Sequence, residues 1–310
     1  MASAYDVHQH LWPETVLRVL ELRASAPRAV WRAGRWEISL EAEPAFEVDP
    51  RDHDPPSRAE ALARQGVDRA LVALSCPVGA DSLLSAVSAW NEHGDLLPGE
   101  LGWWAAVPHP PAADRAELAR EALAAGAAGV CLPAAELGSP RPGAELRELL
   151  DVLERESAPL FVHPGPAGRS RTSADPAWWS PCTDYVAQQH AAWHGFQGAL
   201  RAEFPRLRVI FAMLAGLAPL QAERTAARGG PEREAALHDE LCFYDTSSYG
   251  ARAVGAMASV VGIGQLVHGT DRPVVAPGPD PVEQAFGEGF SDIVRRGSVA
   301  RALGYTWVPA

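Results

Sequence analysis

The chain has 310 residues, 47% hydrophobic and 21% charged, a composition suited to an ordinary globular protein with a large core. Its formal net charge of −12 excludes a broadly basic nucleic-acid-binding surface. No run is long and apolar enough to span a bilayer, and no basic segment precedes an apolar one at the start. The expectation is a protein with neither a membrane span nor a signal peptide.

Eight short apolar runs have strand character. The first, Ala4 to His10, carries Asp6-Val-His-Gln-His10, and strict alternation would put Asp6, His8 and His10 on one face. A long connection, Leu11 to Asp68, follows it. Within that connection Ala33-Gly34 sits between Val30-Trp31-Arg32 and Arg35-Trp36-Glu37-Ile38, which predicts a small hairpin. The next runs are Arg69 to Ser75, Leu101 to Pro108 and Ala128 to Pro133. Pro159 to Pro164 ends in Phe-Val-His163-Pro. The last three are Arg208 to Leu214, Leu241 to Ser247, and Gln265 to Asp271. Stretches rich in Ala, Leu, Glu and Arg separate most of them and suit helices, as in Ser57 to Gln65, Ala113 to Ala125, Gly143 to Glu156 and Pro281 to Arg296. Alternating strands and helices predict an α/β fold, a (β/α)8 TIM barrel forming one domain over 1–310, with 11–68 as a lid insertion after strand 1.

Barrels place their active sites at strand C-terminal ends. His8 and His10 end the first strand, His163 the fifth and Asp271 the eighth, next to the first in a closed ring. Three imidazoles and one carboxylate form a candidate cage for one divalent ion, zinc by ligand type, with manganese as the alternative. A bound ion would polarise a substrate oxygen or acidify water.

Other residues near the strand ends are weaker candidates. The loop after strand 5, Gly165 to Asp184, carries Arg169, Arg171 and Trp178-Trp179. The arginines, with Arg32, Arg35 and Arg272, suit a substrate carboxylate, while a surface ion pair is the plainer reading of each. Adjacent tryptophans argue against a loose surface loop. Asp245 and Ser247 close strand 7, where they suit orienting a ligand or capping a strand end. His268, three residues before Asp271, should face away from the site. His190 and His194 share one face of a helix over Asp184 to Phe204, away from its apolar stripe of Tyr185, Ala192, Trp193, Phe196 and Leu200. Cys76, Cys131, Cys182 and Cys242 have neither zinc-ribbon nor disulfide spacing, which leads to the expectation of a reduced, cytoplasmic protein.

The chain resembles the amidohydrolase superfamily, closest to the branch of aminocarboxymuconate-semialdehyde decarboxylase and related aromatic-acid decarboxylases and hydratases. The resemblance covers nearly the whole chain. It rests on Asp6-Val-His-Gln-His-Leu-Trp-Pro13, Asp54-Pro-Pro-Ser-Arg58, Phe161-Val-His-Pro164, Phe211-Ala-Met-Leu-Ala-Gly216 and His268-Gly-Thr-Asp-Arg-Pro273. It implies a metal held by His8, His10, His163 and Asp271. It also implies a histidine at the end of strand 6 for proton transfer, where this chain has Met213. Methionine exchanges no protons, so Asp271 or His194 becomes the candidate catalytic group, and Arg169, Trp178 and Met213 the candidate substrate contacts. The expected activity is non-oxidative decarboxylation of a small cyclic or aromatic carboxylate. Hydrolysis of an amide or lactone is the rival, and a non-catalytic ligand-binding barrel the reading from another class. A homodimer is compatible with the resemblance.

Overall fold

The computed structural model describes residues 3–94, 96–108, 114–168, 174–276 and 278–305. Eleven strands are described: β1 (Tyr5–His10), β2 (Arg28–Arg32), β3 (Arg35–Ser39), β4 (Phe46–Val48), β5 (Arg69–Ala73), β6 (Leu101–Ala106), β7 (Gly129–Pro133), β8 (Leu160–His163), β9 (Val209–Phe211), β10 (Cys242–Asp245) and β11 (Leu266–Val267). Eight of them form a parallel sheet in the order β1-β5-β6-β7-β8-β9-β10-β11. The ring closes from β11 to β1: Val7 N donates to His268 O at 2.9 Å and His10 N to Arg272 O at 2.6 Å. This is the expected (β/α)8 barrel.

Alternation along the strands makes two cores. Val7, Leu71, Ala73, Cys131, Phe161, Ile210, Phe243 and Val267 fill the barrel interior. Val72, Ala105, Val130, Leu132, Val162, Val209, Phe211 and Tyr244 face the helices and meet Leu146, Leu149, Leu150, Leu153 and Trp193. Each fully buried Leu or Phe contributes roughly 1.5–3 kcal/mol relative to exposure. The helices begin where the sequence supplies a cap. Asp54 accepts from Ser57 N at 3.0 Å ahead of Pro55–Arg64, and Asp114 accepts from Glu117 N at 3.2 Å ahead of Arg115–Ala124.

The hairpin forms as expected. Arg32 pairs with Arg35 across Ala33 and Gly34, whose φ values of 49° and 84° are those of a tight two-residue turn. β4 adds a third antiparallel strand to it.

Three expectations change. The sixth barrel strand stops at Phe211 rather than Leu214, because Met213, Leu214, Ala215 and Leu217 all have positive φ, between 50° and 67°, and leave the sheet. The eighth stops at Val267, and the chain from His268 to Asp271 is a loop. The expected helix Pro281 to Arg296 breaks at Gly287, φ 94°, into Pro281–Phe286 and Glu288–Asp292. A hydrophobic run marks burial, but not where the backbone turns. Among the described residues no helix is long and apolar enough to cross a membrane.

Candidate metal centre

β1 does not alternate strictly. Its register against β5 shifts between Asp6 and Gln9, so Val7 packs in the barrel interior while His8 and His10 also reach the centre. Asp6 therefore does not share the histidines' site. It accepts instead from Gln9 Nε2 at 2.7 Å, Thr270 Oγ1 at 2.5 Å and His8 N at 3.0 Å, and so ties the β11 loop to β1.

His8, His10, His163 and Asp271 do converge. One ligand atom from each lies within 4.8 Å of all the others. His8 Nε2 is 3.2 Å from His10 Nε2, 3.0 Å from His163 Nε2 and 3.5 Å from Asp271 Oδ1, and His10 Nε2 is 3.1 Å from Asp271 Oδ1. Four ligands around a tetrahedral ion with bonds of about 2.1 Å sit about 3.4 Å apart, so the spacing fits a divalent cation.

The second nitrogen of each ring settles its tautomer. His8 Nδ1 donates to Asp245 Oδ2 at 2.7 Å, with Ser247 Oγ at 3.1 Å. His10 Nδ1 donates to Ala73 O at 3.2 Å, and His163 Nδ1 to Pro164 O at 2.7 Å. Carbonyls and carboxylates only accept, so each Nδ1 carries the proton and each Nε2 presents a lone pair to the centre. Nε2 atoms 3.0–3.2 Å from His8 Nε2 repel one another unless a shared positive charge, a metal ion or a proton on one ring, lies between them.

The electrostatics also call for positive charge at the centre. Burial opposes a charged His8, but Asp245 and Asp271 outweigh it and raise the imidazole to about 9. Burial, with His10 and His8 beside it, pushes His163 well below its ordinary value. Burial would raise Asp271, yet His8 and His10 outweigh that and lower it to about 2. Asp271 reaches the cluster from a left-handed backbone, φ 58°, held by Asp271 N donating to His8 O at 2.8 Å. Gly269 is required alongside: a Cβ there would lie 2.7 Å from Asp245 Oδ1 and 2.9 Å from His8 Cβ.

Of the other candidates, the structure places His194 away from this cluster. His194 lines a shallow surface groove with His190, Arg224 and Arg228, which none of the four ligand residues lines. The helix turns its apolar stripe inward and carries His194 to the outer face, so the structure does not bring it to the centre. His190 donates to Gly216 O at 2.6 Å and pins the turn after β9. Met213 is buried in the inner cluster with Phe161, Ile210 and Tyr185. Trp178 is 60% exposed and packs against Trp179 with ring centroids 5.4 Å apart, so the pair stays in solvent, against the sequence reading. Arg32 and Arg35 form surface ion pairs with Glu37, Glu47 and Asp49. Arg169 and Arg171 lie outside the described residues. His268 is buried apart from the four, as expected.

One contact was not legible in the sequence. Glu43, between β3 and β4, accepts from Tyr185 Oη at 2.6 Å with both residues buried, which fastens the insertion to the helix after β8. Burial raises the Glu43 carboxyl, and burial with Glu43 beside it raises the Tyr185 phenol; Asp271 adds to the latter.

Comparison with known proteins agrees with this geometry. A family model described as amidohydrolase matches residues 5–294. IDCase from Metarhizium anisopliae, in apo form, is 16% identical over 97% of both chains, with a TM-score of 0.79. The 5-carboxyvanillate decarboxylase of Sphingomonas paucimobilis is 14% identical over 99% of this chain and 100% of its own, TM-score 0.69. The 4-oxalomesaconate hydratase of Rhodopseudomonas palustris is 14% identical over 97% and 95%, TM-score 0.67. No curated protein matches the sequence. Identities this low show a shared fold, whereas the family match spans nearly the whole chain, and by it the protein belongs to the amidohydrolase family.

Proposed function

We propose that the protein is a metal-dependent enzyme that removes a carboxyl group, as carbon dioxide, from a small cyclic or aromatic carboxylate. One observation carries the reading: three imidazoles, each with Nδ1 spent on a fixed acceptor, turn their Nε2 atoms and Asp271 Oδ1 toward one point. His8, His10, His163 and Asp271 would hold a divalent ion, zinc by ligand type. Such an ion supplies a Lewis acid for a substrate oxygen.

The chain's own groups do the rest. Asp271 is ionised at neutral pH, and among the described residues its Oδ2 carries only a long 3.4 Å contact from Ser248 Oγ, which leaves that oxygen open to accept a hydrogen bond from the substrate. Met213 and the inner aromatic residues line an apolar interior that excludes water from charge developing nearby. The structural likeness to 5-carboxyvanillate decarboxylase supports the choice of decarboxylation. A ligand-binding barrel without chemistry rests on Met213 alone, and the comparisons lend it no support. All four cysteines are free, and we place the enzyme in the reducing cytoplasm.

The test is metal analysis followed by a panel of hydroxylated benzoates and cyclic carboxylates. One metal per chain and carbon dioxide release, both abolished in His163→Ala, are expected. Ring opening without gas would replace decarboxylation with hydrolysis. A full metal complement in His163→Ala would remove the basis of the reading.

A further inference from the structure

Beside the metal centre lies a cavity of about 440 Å³, a size ordinary for small-ligand sites. The loops after β10 and β11 wall it, together with Arg64 and Arg295. Its charges are unevenly matched. Arg295 pairs with Asp280 at 2.9 Å, and Asp280 also accepts from Ser291 Oγ at 2.5 Å and Val282 N at 2.7 Å, so that carboxylate is saturated. Arg272 is different. It is half-buried, and among the described residues its guanidinium donates no hydrogen bond and forms no close ion pair.

The nearest groups do not satisfy Arg272. Its neighbouring cation is Arg58 and its neighbouring anion Asp6. Arg58 donates to Gln9 Oε1 at 2.9 Å and to the Asp52 carbonyl. Both oxygens of Asp6 are taken by Gln9, Thr270 and the His8 amide. Arg58 also has Asp52 beside it, whereas the one anion near Arg272 among the described residues is the already occupied Asp6. The wall also contains Thr246 Oγ1 and His268 Nδ1, buried and without partners among the described residues. A half-buried cation with no close ion pair among the described residues, an exposed Arg64 at the rim and unmatched polar atoms together describe a site for an anion.

The geometry points to this cavity as a binding site for a phosphate-type oxyanion, anchored by Arg272 and assisted by Arg64. The site is distinct from the metal centre, yet the two share a wall. Ser247 and Ser248 line the cavity, while Ser247 Oγ lies 3.1 Å from His8 Nδ1 and Ser248 Oγ 3.4 Å from Asp271 Oδ2.

The experiment is calorimetric titration of the zinc-loaded full chain with potassium phosphate, at constant ionic strength, with melting temperature followed in parallel. Wild type should bind saturably and melt higher in phosphate than in chloride. Arg272→Gln should weaken phosphate at least ~10-fold, since it removes a charged hydrogen-bond donor. Arg272→Lys keeps the charge but loses the fork, and should fall between the two. Arg64→Gln should cost about 2–5-fold, as an exposed charge does. His163→Ala should still bind phosphate, which separates this cavity from anion binding at the metal. Absence of saturable binding by wild type, unchanged affinity in Arg272→Gln, or loss in His163→Ala would each overturn the proposal. Acetate binding as tightly as phosphate would overturn the choice of ligand.

Discussion

Asp245→Asn is the most direct probe of how the metal centre is built. Asp245 accepts twice: Oδ2 from His8 Nδ1 at 2.7 Å and Oδ1 from Ser247 N at 2.6 Å. Asparagine is nearly the same shape but has one oxygen. If that oxygen faces Ser247 N, the amide group faces His8 Nδ1 and drives the imidazole proton to Nε2, where it points at the ion's position. If it faces His8, the buried Ser247 amide opposes an NH₂ group. Either arrangement penalises the liganding state. Loss of a partner that orients a metal-bound histidine costs about 10–100-fold in affinity, or about 1.4–2.8 kcal/mol. Zinc affinity is measured by competition against a chromogenic chelator, with melting temperature in the absence of metal as the check on folding. Ser247→Ala is the internal contrast. Its 3.1 Å contact is secondary to Asp245 for the single Nδ1 proton, so less than about a threefold change is expected. Zinc binding by Asp245→Asn within about twofold of wild type would refute the argument that Asp245 fixes the His8 tautomer.

Further outcomes follow from particular contacts. Gly269→Ala should lower both zinc affinity and stability, by about 1–3 kcal/mol, because its Cβ would press Asp245 Oδ1 at 2.7 Å; unchanged denaturant midpoint and zinc binding would show that the loop yields freely. His53 is buried, accepts from Trp12 N at 3.0 Å, and is lowered to about 3, by burial first and by Arg58 beside it. The unfolded chain binds that proton near pH 6.5, so this group's stability is present above 6.5 and is lost as pH falls toward 3, by roughly 4–5 kcal/mol in total. In His53→Asn, which keeps an acceptor, urea midpoints should fall less steeply between about pH 6.5 and 4; a parallel decline would assign the acid sensitivity elsewhere. Tyr185→Phe removes the donor to Glu43 and should destabilise by about 1–3 kcal/mol while raising amide exchange across residues 28–48. Exchange there at the wild-type rate would show that the contact does not hold the insertion.

The sequence alone determined the barrel and the four side chains that converge at one point in it. The strands show because each is a short apolar run between helix-forming stretches, and the hairpin because Ala33-Gly34 offers the two positive-φ residues its turn needs. His8, His10, His163 and Asp271 were legible because each ends such a run, where a barrel must present it to the mouth. The tertiary structure decided the rest. The register shift in β1 moved Asp6 out of the histidines' company, and the rotation of the helix Asp184–Gly195 carried His194 to the outer face. The tautomers depend on Ala73 O, Pro164 O and Asp245, the last 237 residues from its histidine. The insertion is fastened by Glu43 to Tyr185, 142 residues away. A residue's type and its neighbours in the chain fix what it can donate, accept or bury. Which partner it meets across such separations depends on how the whole ring closes, and no local pattern records that.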